Sequence, residues 1–121
     1  ADNTATMKEY EGTVKDYGTI QIAGSFNDWA DTPMLPYNTE GVENHAWYYV
    51  MEVPAGETVQ FKFKINDGST WGTSWGYGAE DGAINMYGKC GTGGNSNLGL
   101  AEGKYVISFN DITGAFSIVK L

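Results

Sequence analysis

The sequence predicts an all-β fold in which two antiparallel sheets pack face to face as a β-sandwich, with little or no helix. Three observations support this prediction. Apolar and polar residues alternate along several short segments, as expected for strands with one buried face. Turn-forming residues separate these segments. No stretch of about a dozen residues repeats its apolar positions at a period near 3.6, so helical crossovers between parallel strands are not expected.

The strictest alternation lies in residues 58–65, where every second residue is apolar. Lys62 and Lys64 both belong to the polar set, so this strand is predicted to be half exposed, with the two lysines on the face opposite the core. The same alternation predicts core-facing side chains in three further strands, at residues 18–24, 104–110 and 115–119.

Residues 46–53 are apolar or aromatic at nearly every position. This pattern is typical of a central strand that is covered on both faces, so we place this strand in the middle of a sheet. Trp47 and Tyr49, which lie within it, are interpreted as core residues rather than ligand contacts.

The connections between strands carry turn residues rather than helix caps. Residues 54–57 link two strands, residues 66–68 follow the strand that carries the two lysines, and residues 110–114 join the last two strands as a hairpin loop. Antiparallel neighbours are therefore expected, in an immunoglobulin-like sandwich. The glycine-rich residues 72–94 are the least regular part, and a long irregular connection within a small domain is often functional.

The chain length of 121 residues fits one domain. We place the β-sandwich at residues 18–121, after an N-terminal extension or linker with a possible edge strand at residues 1–17. No apolar run approaches the roughly 20 residues that a membrane helix needs. Residues 1–10 lack the basic start and apolar stretch of an export signal.

Charge and composition narrow the partners. Fifteen acidic residues against seven basic ones give a formal net charge of −8, which repels nucleic-acid phosphates and anionic membrane surfaces. We therefore expect a neutral ligand, no nucleic acid and no membrane contact by this domain. Cys90 is the single cysteine and cannot form an internal disulfide, and one histidine, His45, is too few for most zinc sites. No metal and no cofactor are predicted.

Three of the four tryptophans lie in turn-rich segments. Trp29 ends the stretch Gly-Ser-Phe-Asn-Asp-Trp, and Trp71 and Trp75 lie among small residues at 69–77. Large aromatic side chains on such loops offer flat, rigid surfaces, against which the C–H-lined face of a sugar ring packs well. The pattern favours a carbohydrate-binding platform. The competing interpretation is that these tryptophans close the open end of the sandwich.

The order of several short motifs resembles the starch- and glycogen-binding sandwich domains. The motifs are Ile-Ala-Gly-Ser-Phe-Asn-Asp-Trp at residues 22–29, Phe-Lys-Phe at 61–63, Asp-Gly at 67–68, and Trp71. More narrowly, the chain is similar to the domains of SusE and SusF, surface starch-binding lipoproteins of the Bacteroidetes outer membrane. The residues that carry this narrower resemblance are Tyr77-Gly78, Gly93-Gly94-Asn95, Leu98 and residues 103–107. The resemblance covers residues 18–121.

The resemblance implies a module without catalytic residues that binds starch, maltooligosaccharides or a related α-glucan. By analogy with the glucan site of that family, Trp29 and Trp71 would contact the curved face of the glucan and Lys62 would donate hydrogen bonds to its hydroxyls. A further polar contact would come from Asn95 or Asn97. For the two asparagines the alternative is ordinary loop geometry.

Two further residues belong to the candidate site. Lys64 competes with Lys62, because a one-residue bulge would exchange their neighbours. For both lysines the alternative is a solvated outer face or a protected sheet edge. Trp75 adds another aromatic side chain that the family pattern does not place.

The resemblance also implies a location and a context. We expect an extracellular or cell-surface domain, tethered to a bacterial outer membrane through a part of the protein that this sequence does not contain. The N-terminal lipoprotein cysteine of such proteins is absent here, so the chain is interpreted as one module that neighbours other domains of a larger surface protein.

Three other functions compete. A glycoside hydrolase would need two carboxylates facing each other across a cleft, and none of the carboxylates falls in a recognisable catalytic motif. A structural or protein-interaction sandwich would bury the loop tryptophans against a neighbouring domain. A module for a different polysaccharide, such as a β-glucan, would use a flatter platform, and the sequence does not give the angle between the rings.

Overall fold

Two β-sheets pack face to face in the computed structural model, which describes residues 17–37, 45–68 and 70–121. The predicted all-β sandwich is confirmed. Within these residues the helical structure consists of one 3-10 turn, Ser25–Asn27, and no helix is long and apolar enough to cross a bilayer. The extension predicted at residues 1–17 lies outside the described residues, apart from Tyr17.

Eleven strands are formed by the described residues. In chain order they are β1 (Gln21–Gly24), β2 (Thr32–Pro33), β3 (Leu35–Pro36), β4 (Ala46–Val53), β5 (Val59–Lys64), β6 (Ser74–Trp75), β7 (Ala83–Ile84), β8 (Tyr87–Lys89), β9 (Leu98–Leu100), β10 (Gly103–Asn110) and β11 (Ala115–Lys120). The first sheet has the order β2-β1-β5-β9-β7, with β6 also paired to β5. The second sheet has the order β3-β4-β10-β11-β8. Neighbours are antiparallel except for β7 and β9, which run parallel.

The core lies between the two sheets and follows the predicted alternation. Phe63 of β5 stacks on Phe109 of β10, with ring centroids 4.2 Å apart and planes inclined by 14°. Ile22, Phe61 and Ile107 are completely buried beside them. Each side chain of this size contributes roughly 1.5–3 kcal/mol when it is removed from water, so these inward-facing rows hold the two sheets together.

Strand β4 partly differs from its prediction. It lies between β3 and β10, which confirms a position inside the sheet. Its outer face, however, is not covered, since Val50 is 45% exposed and Glu52 is exposed. Because the other sheet packs on one face alone, an unbroken apolar run did not mean burial on both faces. The interpretation of Trp47 as a core residue is confirmed by its 5% exposure.

The structure confirms one of two predicted connections between antiparallel neighbours and contradicts the other. Residues 110–114 join β10 to its antiparallel neighbour β11, and the Asn110 side-chain oxygen accepts hydrogen bonds from the backbone of Ile112 and Thr113. This hairpin is confirmed. Residues 54–57 instead carry the chain from β4 in the second sheet to β5 in the first. The expectation that this turn joins antiparallel neighbours is therefore wrong.

The glycine-rich residues 72–94 contain three short strands, β6, β7 and β8. Backbone hydrogen bonds between Gly76 and Gly91 close this segment on itself, at 3.0 Å in each direction. Through β6, which pairs with β5, and β8, which pairs with β11, the segment joins both sheets, and Ser74 of β6 borders the candidate site.

Candidate functional site

The turn that carries Trp29 connects β1 to β2 and is organised by Asn27. The Asn27 side-chain oxygen accepts a hydrogen bond from the Gly24 backbone at 3.0 Å, and its amide nitrogen donates to the Ala30 carbonyl at 2.8 Å. Asp28 and Trp29 then adopt left-handed backbone conformations, with φ of 56° and 61°. This conformation costs roughly 1–2 kcal/mol for a residue with a side chain. The hydrogen bonds of the turn therefore hold Trp29 in a backbone conformation that is unfavourable in an unfolded chain.

Trp71 lies beyond the end of β5 and also has a left-handed backbone, with φ of 56°. The neighbouring Gly72 N–H donates to Oδ2 of Asp67 at 2.8 Å, and the Thr70 hydroxyl donates to the Asp67 carbonyl at 3.0 Å. Sparsely populated backbone conformations persist where surrounding contacts impose them, and they cluster at binding sites. Trp29 and Trp71 both have such a backbone conformation.

The two tryptophans form an angled pair on the outer face of the first sheet. Their ring centroids lie 6.0 Å apart and their planes are inclined by 59°. Each side chain is half-buried, so part of each ring remains accessible. Together they border an open depression of about 400 Å³ whose other lining residues are Lys62, Ser74 and Asn97.

Lys62 lies on the outer face of β5, as the alternation predicts, and is half-buried. Its ammonium group donates a hydrogen bond to the Asn95 carbonyl at 3.1 Å. An ammonium group has three N–H donors, so this anchor leaves donors for a ligand in the depression. Gly76 makes the close approach possible, because a Cβ atom there would lie 2.9 Å from Cε of Lys62.

The structure separates the two candidate asparagines. Asn97 lines the depression, and its side-chain amide donates to the side-chain oxygen of Gln60 at 3.0 Å. The Asn95 side chain instead donates to the Thr92 carbonyl at 3.1 Å and so stabilises its own loop. Asn95 therefore contributes its backbone carbonyl, which positions Lys62, whereas Asn97 presents its side chain to the site.

Lys64 does not reach the depression. It lies on the outer face of β5 but is completely buried, because the loops that carry the two tryptophans cover it. Its ammonium forms ion pairs with Asp31 at 2.5 Å and Asp67 at 2.6 Å, and it lies 5.1 Å from the centroid of the Trp71 ring. The alternative in which Lys64 replaces Lys62 as a ligand contact is contradicted, as is the expectation that both lysines are exposed.

Trp75 is a core residue rather than a platform residue. It is 5% exposed and makes an edge contact with Phe109, with ring centroids 5.1 Å apart. The physical reason is the pairing of β6 with β5, which places Trp75 opposite the inward-facing Phe63. The inclusion of Trp75 in the candidate site is therefore a sequence-based error.

Sequence reasoning missed three residues that shape the site. Ser74 lines the depression, Asp31 binds Lys64, and Gly76 leaves room for Lys62. Ser74 precedes Trp75 by one residue, so the period of a strand predicts an outward position for Ser74 only once Trp75 is known to be buried. For Asp31 and Gly76 the sequence contains no comparable signal, because their contacts join distant segments.

The electrostatics of the site are dominated by Lys64 and its carboxylates. The hydrogen bond from Lys64 lowers the pKa of Asp67 from its ordinary value of 3.8 to about 2. Asp67 is therefore a fixed anion at neutral pH and holds no proton to donate. Among residues 17–37, 45–68 and 70–121, no group of three or more His, Cys, Asp or Glu side chains is placed to hold a metal ion.

Comparison with known proteins identifies a similar fold. No protein-family model and no curated protein matches the chain. The structure matches the crystal structure of SusF from Bacteroides thetaiotaomicron with a TM-score of 0.64 and 19% sequence identity. The match covers 85% of this chain and 24% of the SusF chain, so this chain spans about a quarter of that protein's length. At this identity the similarity is one of fold: the chain is built like a part of SusF.

Proposed function

We propose that this chain is a non-catalytic carbohydrate-binding module that binds starch, maltooligosaccharides or a related α-glucan in the depression between Trp29 and Trp71. The observation that carries the proposal is the angled tryptophan pair, with planes inclined by 59° beside the anchored Lys62. The sequence resemblance to SusE- and SusF-type domains supports the same ligand class.

The angle between the rings favours a curved ligand. A sugar ring stacks with its C–H-lined face parallel to an aromatic plane. Two planes inclined by 59° therefore suit two sugar rings that are inclined to each other, as successive glucose units are in a helical α-glucan. A straight β-glucan presents its faces in one plane and would stack fully on one tryptophan at a time.

The polar residues of the depression suit neutral hydroxyl groups. Lys62 offers N–H donors, Asn97 offers an amide, and Ser74 offers a hydroxyl that both donates and accepts. A net charge of −8 disfavours a polyanionic ligand. An open surface leaves much of the sugar in water, so we expect a dissociation constant between about 1 μM and 1 mM.

A binding role without catalysis fits the carboxylates beside the platform. Asp31 and Asp67 both bind Lys64, so they are occupied by one cation instead of facing each other across a substrate. A glycosidase needs one protonated and one ionised carboxyl group on opposite sides of the scissile bond. A reducing-sugar assay with soluble starch tests this part of the proposal, and release of reducing ends would contradict it.

Affinity electrophoresis tests the ligand class. The wild-type chain is run through native gels that contain amylopectin, xyloglucan or a mixed-linkage β-glucan, beside the double variant Trp29→Ala, Trp71→Ala. The control is Tyr87→Ala, which removes an aromatic side chain that is 78% exposed on the other sheet. We expect amylopectin alone to retard the wild type and the control, and none of the three polymers to retard the double variant. Retardation by the β-glucans alone would reassign the ligand.

The competing function, a protein-interaction sandwich, predicts a different spectroscopic result. If the tryptophans bind a neighbouring protein domain, tryptophan fluorescence stays unchanged when maltoheptaose is added. If they bind glucan, the spectrum shifts in the wild type and does not shift in the double variant.

We also propose that the domain acts at a bacterial cell surface, within a larger outer-membrane-tethered protein that contains other domains. The support is the resemblance to SusE and SusF and the match to 24% of the SusF chain. Antibody labelling of intact cells, with and without protease treatment, tests this location, and protection from protease in intact cells would contradict it.

A further inference from the structure

One buried ammonium group joins the two loops that carry the platform tryptophans. In the first loop, which carries Trp29, Nζ of Lys64 donates a hydrogen bond to Oδ1 of Asp31 at 2.5 Å. In the second loop, which carries Trp71, it donates to Oδ1 of Asp67 at 2.6 Å and to the carbonyls of Ile65 and Gly68 at 3.0 and 2.7 Å. The Lys64 side chain is completely buried in this arrangement. The two loops are thus held by the same cation.

The second oxygen of each carboxylate extends the connection into the backbone. Oδ2 of Asp31 accepts a hydrogen bond from the Gly68 N–H at 2.9 Å, which ties the first loop directly to the second. Oδ2 of Asp67 accepts from the Gly72 N–H at 2.8 Å, immediately after Trp71. Each carboxylate therefore uses both oxygens in the connection, which begins two residues after Trp29, at Asp31, and reaches the residue directly after Trp71.

Stability by itself does not account for such a cluster. Removing charges from water is costly, and replacing a buried ion pair by apolar residues is often neutral or stabilising. Strained backbone, in contrast, persists only where surrounding contacts impose it, and both tryptophans have left-handed φ values of about 60°. A cluster that joins the two strained loops is suited to impose their relative orientation.

We propose that Lys64, Asp31 and Asp67 are positioning residues that fix the angle between Trp29 and Trp71 and thereby set the preference for curved over straight glucans. The inference rests on the proposed carbohydrate-binding function for its ligand, but the positioning itself does not require a ligand. The three residues act through the loops and do not touch the sugar.

The test uses the variant Asp31→Asn. An amide keeps the size of the side chain but has one acceptor oxygen, so either the Lys64 or the Gly68 hydrogen bond is lost. The matched control is Asp111→Asn on the second sheet, where a buried carboxylate accepts from Trp47 at 3.0 Å and pairs with His45 at 2.6 Å. Both substitutions remove a carboxylate that pairs with another side chain, but only Asp31→Asn removes it from the tryptophan loops.

The first readout is the circular dichroism of the tryptophans without any ligand. Two inclined indole rings 6.0 Å apart couple their ultraviolet transitions and give a pair of bands of opposite sign. The variant Trp71→Phe identifies this pair by removing it. We expect Asp31→Asn to weaken or invert the pair at temperatures well below unfolding, and Asp111→Asn to leave it unchanged. A wild-type band pair in Asp31→Asn would overturn the inference.

The second readout is the ratio of affinities for maltoheptaose and cellohexaose, measured by calorimetry. We expect Asp31→Asn to lower this ratio by about fivefold or more, as coupled residues commonly do, and Asp111→Asn to leave it unchanged while lowering the melting temperature. Where Asp31→Asn does not fold, Asp67→Asn breaks the same cluster from the other loop and decides the question. If the wild type binds neither sugar, the proposed function is contradicted. The circular dichroism without ligand would still test whether Lys64, Asp31 and Asp67 fix the angle between the two tryptophans.

Discussion

The indole rings of Trp29 and Trp71 lie 6.0 Å apart at an inclination of 59°, and both residues have left-handed backbone conformations. Two separate turns, one after β1 and one after β5, thus present their side chains to one depression. Because each turn is strained at its tryptophan, the backbone at these positions favours glycine, and binding can be separated from stability by substitution.

We expect Trp29→Gly to weaken binding severely while leaving the melting temperature equal to or above that of the wild type. Glycine adopts φ near 60° without steric cost, so the substitution relieves strain while it removes the ring. Loss of stacking is expected to weaken binding by about five- to a hundredfold, by analogy with roughly 1–3 kcal/mol for a stacked nucleobase. Thermal unfolding and starch retention measure both effects.

The control for this substitution is Trp29→Ala, which also loses the ring but keeps the left-handed strain. It should bind as weakly as the glycine variant and unfold at a lower temperature. A marked fall in melting temperature with full starch retention in both variants would return Trp29 to a structural role.

We expect Lys62→Met to weaken glucan binding modestly without abolishing it. The methionine keeps the apolar stem but removes the ammonium donor, and a partly solvated hydrogen bond is worth roughly 0.5–1.5 kcal/mol. Calorimetric titration with maltoheptaose should show a loss of about two- to twelvefold. Lys104→Met, an exposed lysine on the second sheet, is the control and should bind like the wild type. Equal affinities for all three proteins would remove Lys62 from the site.

We expect Gly76→Ala to lower both stability and affinity. A Cβ atom at Gly76 would lie 2.4 Å from the Ser96 carbonyl oxygen and 2.9 Å from Cε of Lys62. Overpacking of this kind typically costs roughly 1–3 kcal/mol, and relief of the clash would displace Lys62 from the depression. Gly78→Ala serves as the comparison, since no atom lies within 4 Å of its Cβ position and its cost is backbone strain alone. Unchanged binding in Gly76→Ala would show that Lys62 does not need this close approach.

We expect the stability of the domain to fall as the pH is lowered from about 4 to about 2, through loss of the Asp67 contribution. Lys64 lowers the pKa of Asp67 to about 2 in the folded chain, against an ordinary value of 3.8. As the pH falls, Asp67 is therefore protonated in the unfolded chain before it is protonated in the folded chain. Its contribution to the free energy of unfolding is complete above the ordinary pKa of 3.8 and is lost as the pH falls toward the lowered pKa of about 2. Melting temperatures of the wild type and Asp67→Asn across this range test the prediction, and the difference between them should shrink toward pH 2. A constant difference would contradict it.

The sequence by itself predicted five of the eleven strands that the described residues form, namely β1, β4, β5, β10 and β11, together with most of the core side chains that they carry. Alternation with a period of two is a local property, and it correctly gave the inward-facing rows of β5, β10 and β11, including Phe61, Phe63 and Ile107. The hairpin at residues 110–114 also followed from local turn chemistry. Trp29, Lys62, Trp71 and Asn97 were named as site residues from motifs, and the structure brings these four together around one depression.

Only the tertiary structure decided which outward-facing residues reach solvent. Lys62 and Lys64 occupy equivalent places in the strand pattern, but contacts from Asp31, Asp67 and Gly68 cover Lys64 and leave Lys62 beside the depression. Trp75 is the opposite case: it was expected to be accessible, but the pairing of β6 with β5 places it in the core. Strand periodicity specifies the face of a sheet, whereas accessibility depends on segments far away in the chain that fold over that face, and no local pattern encodes their position.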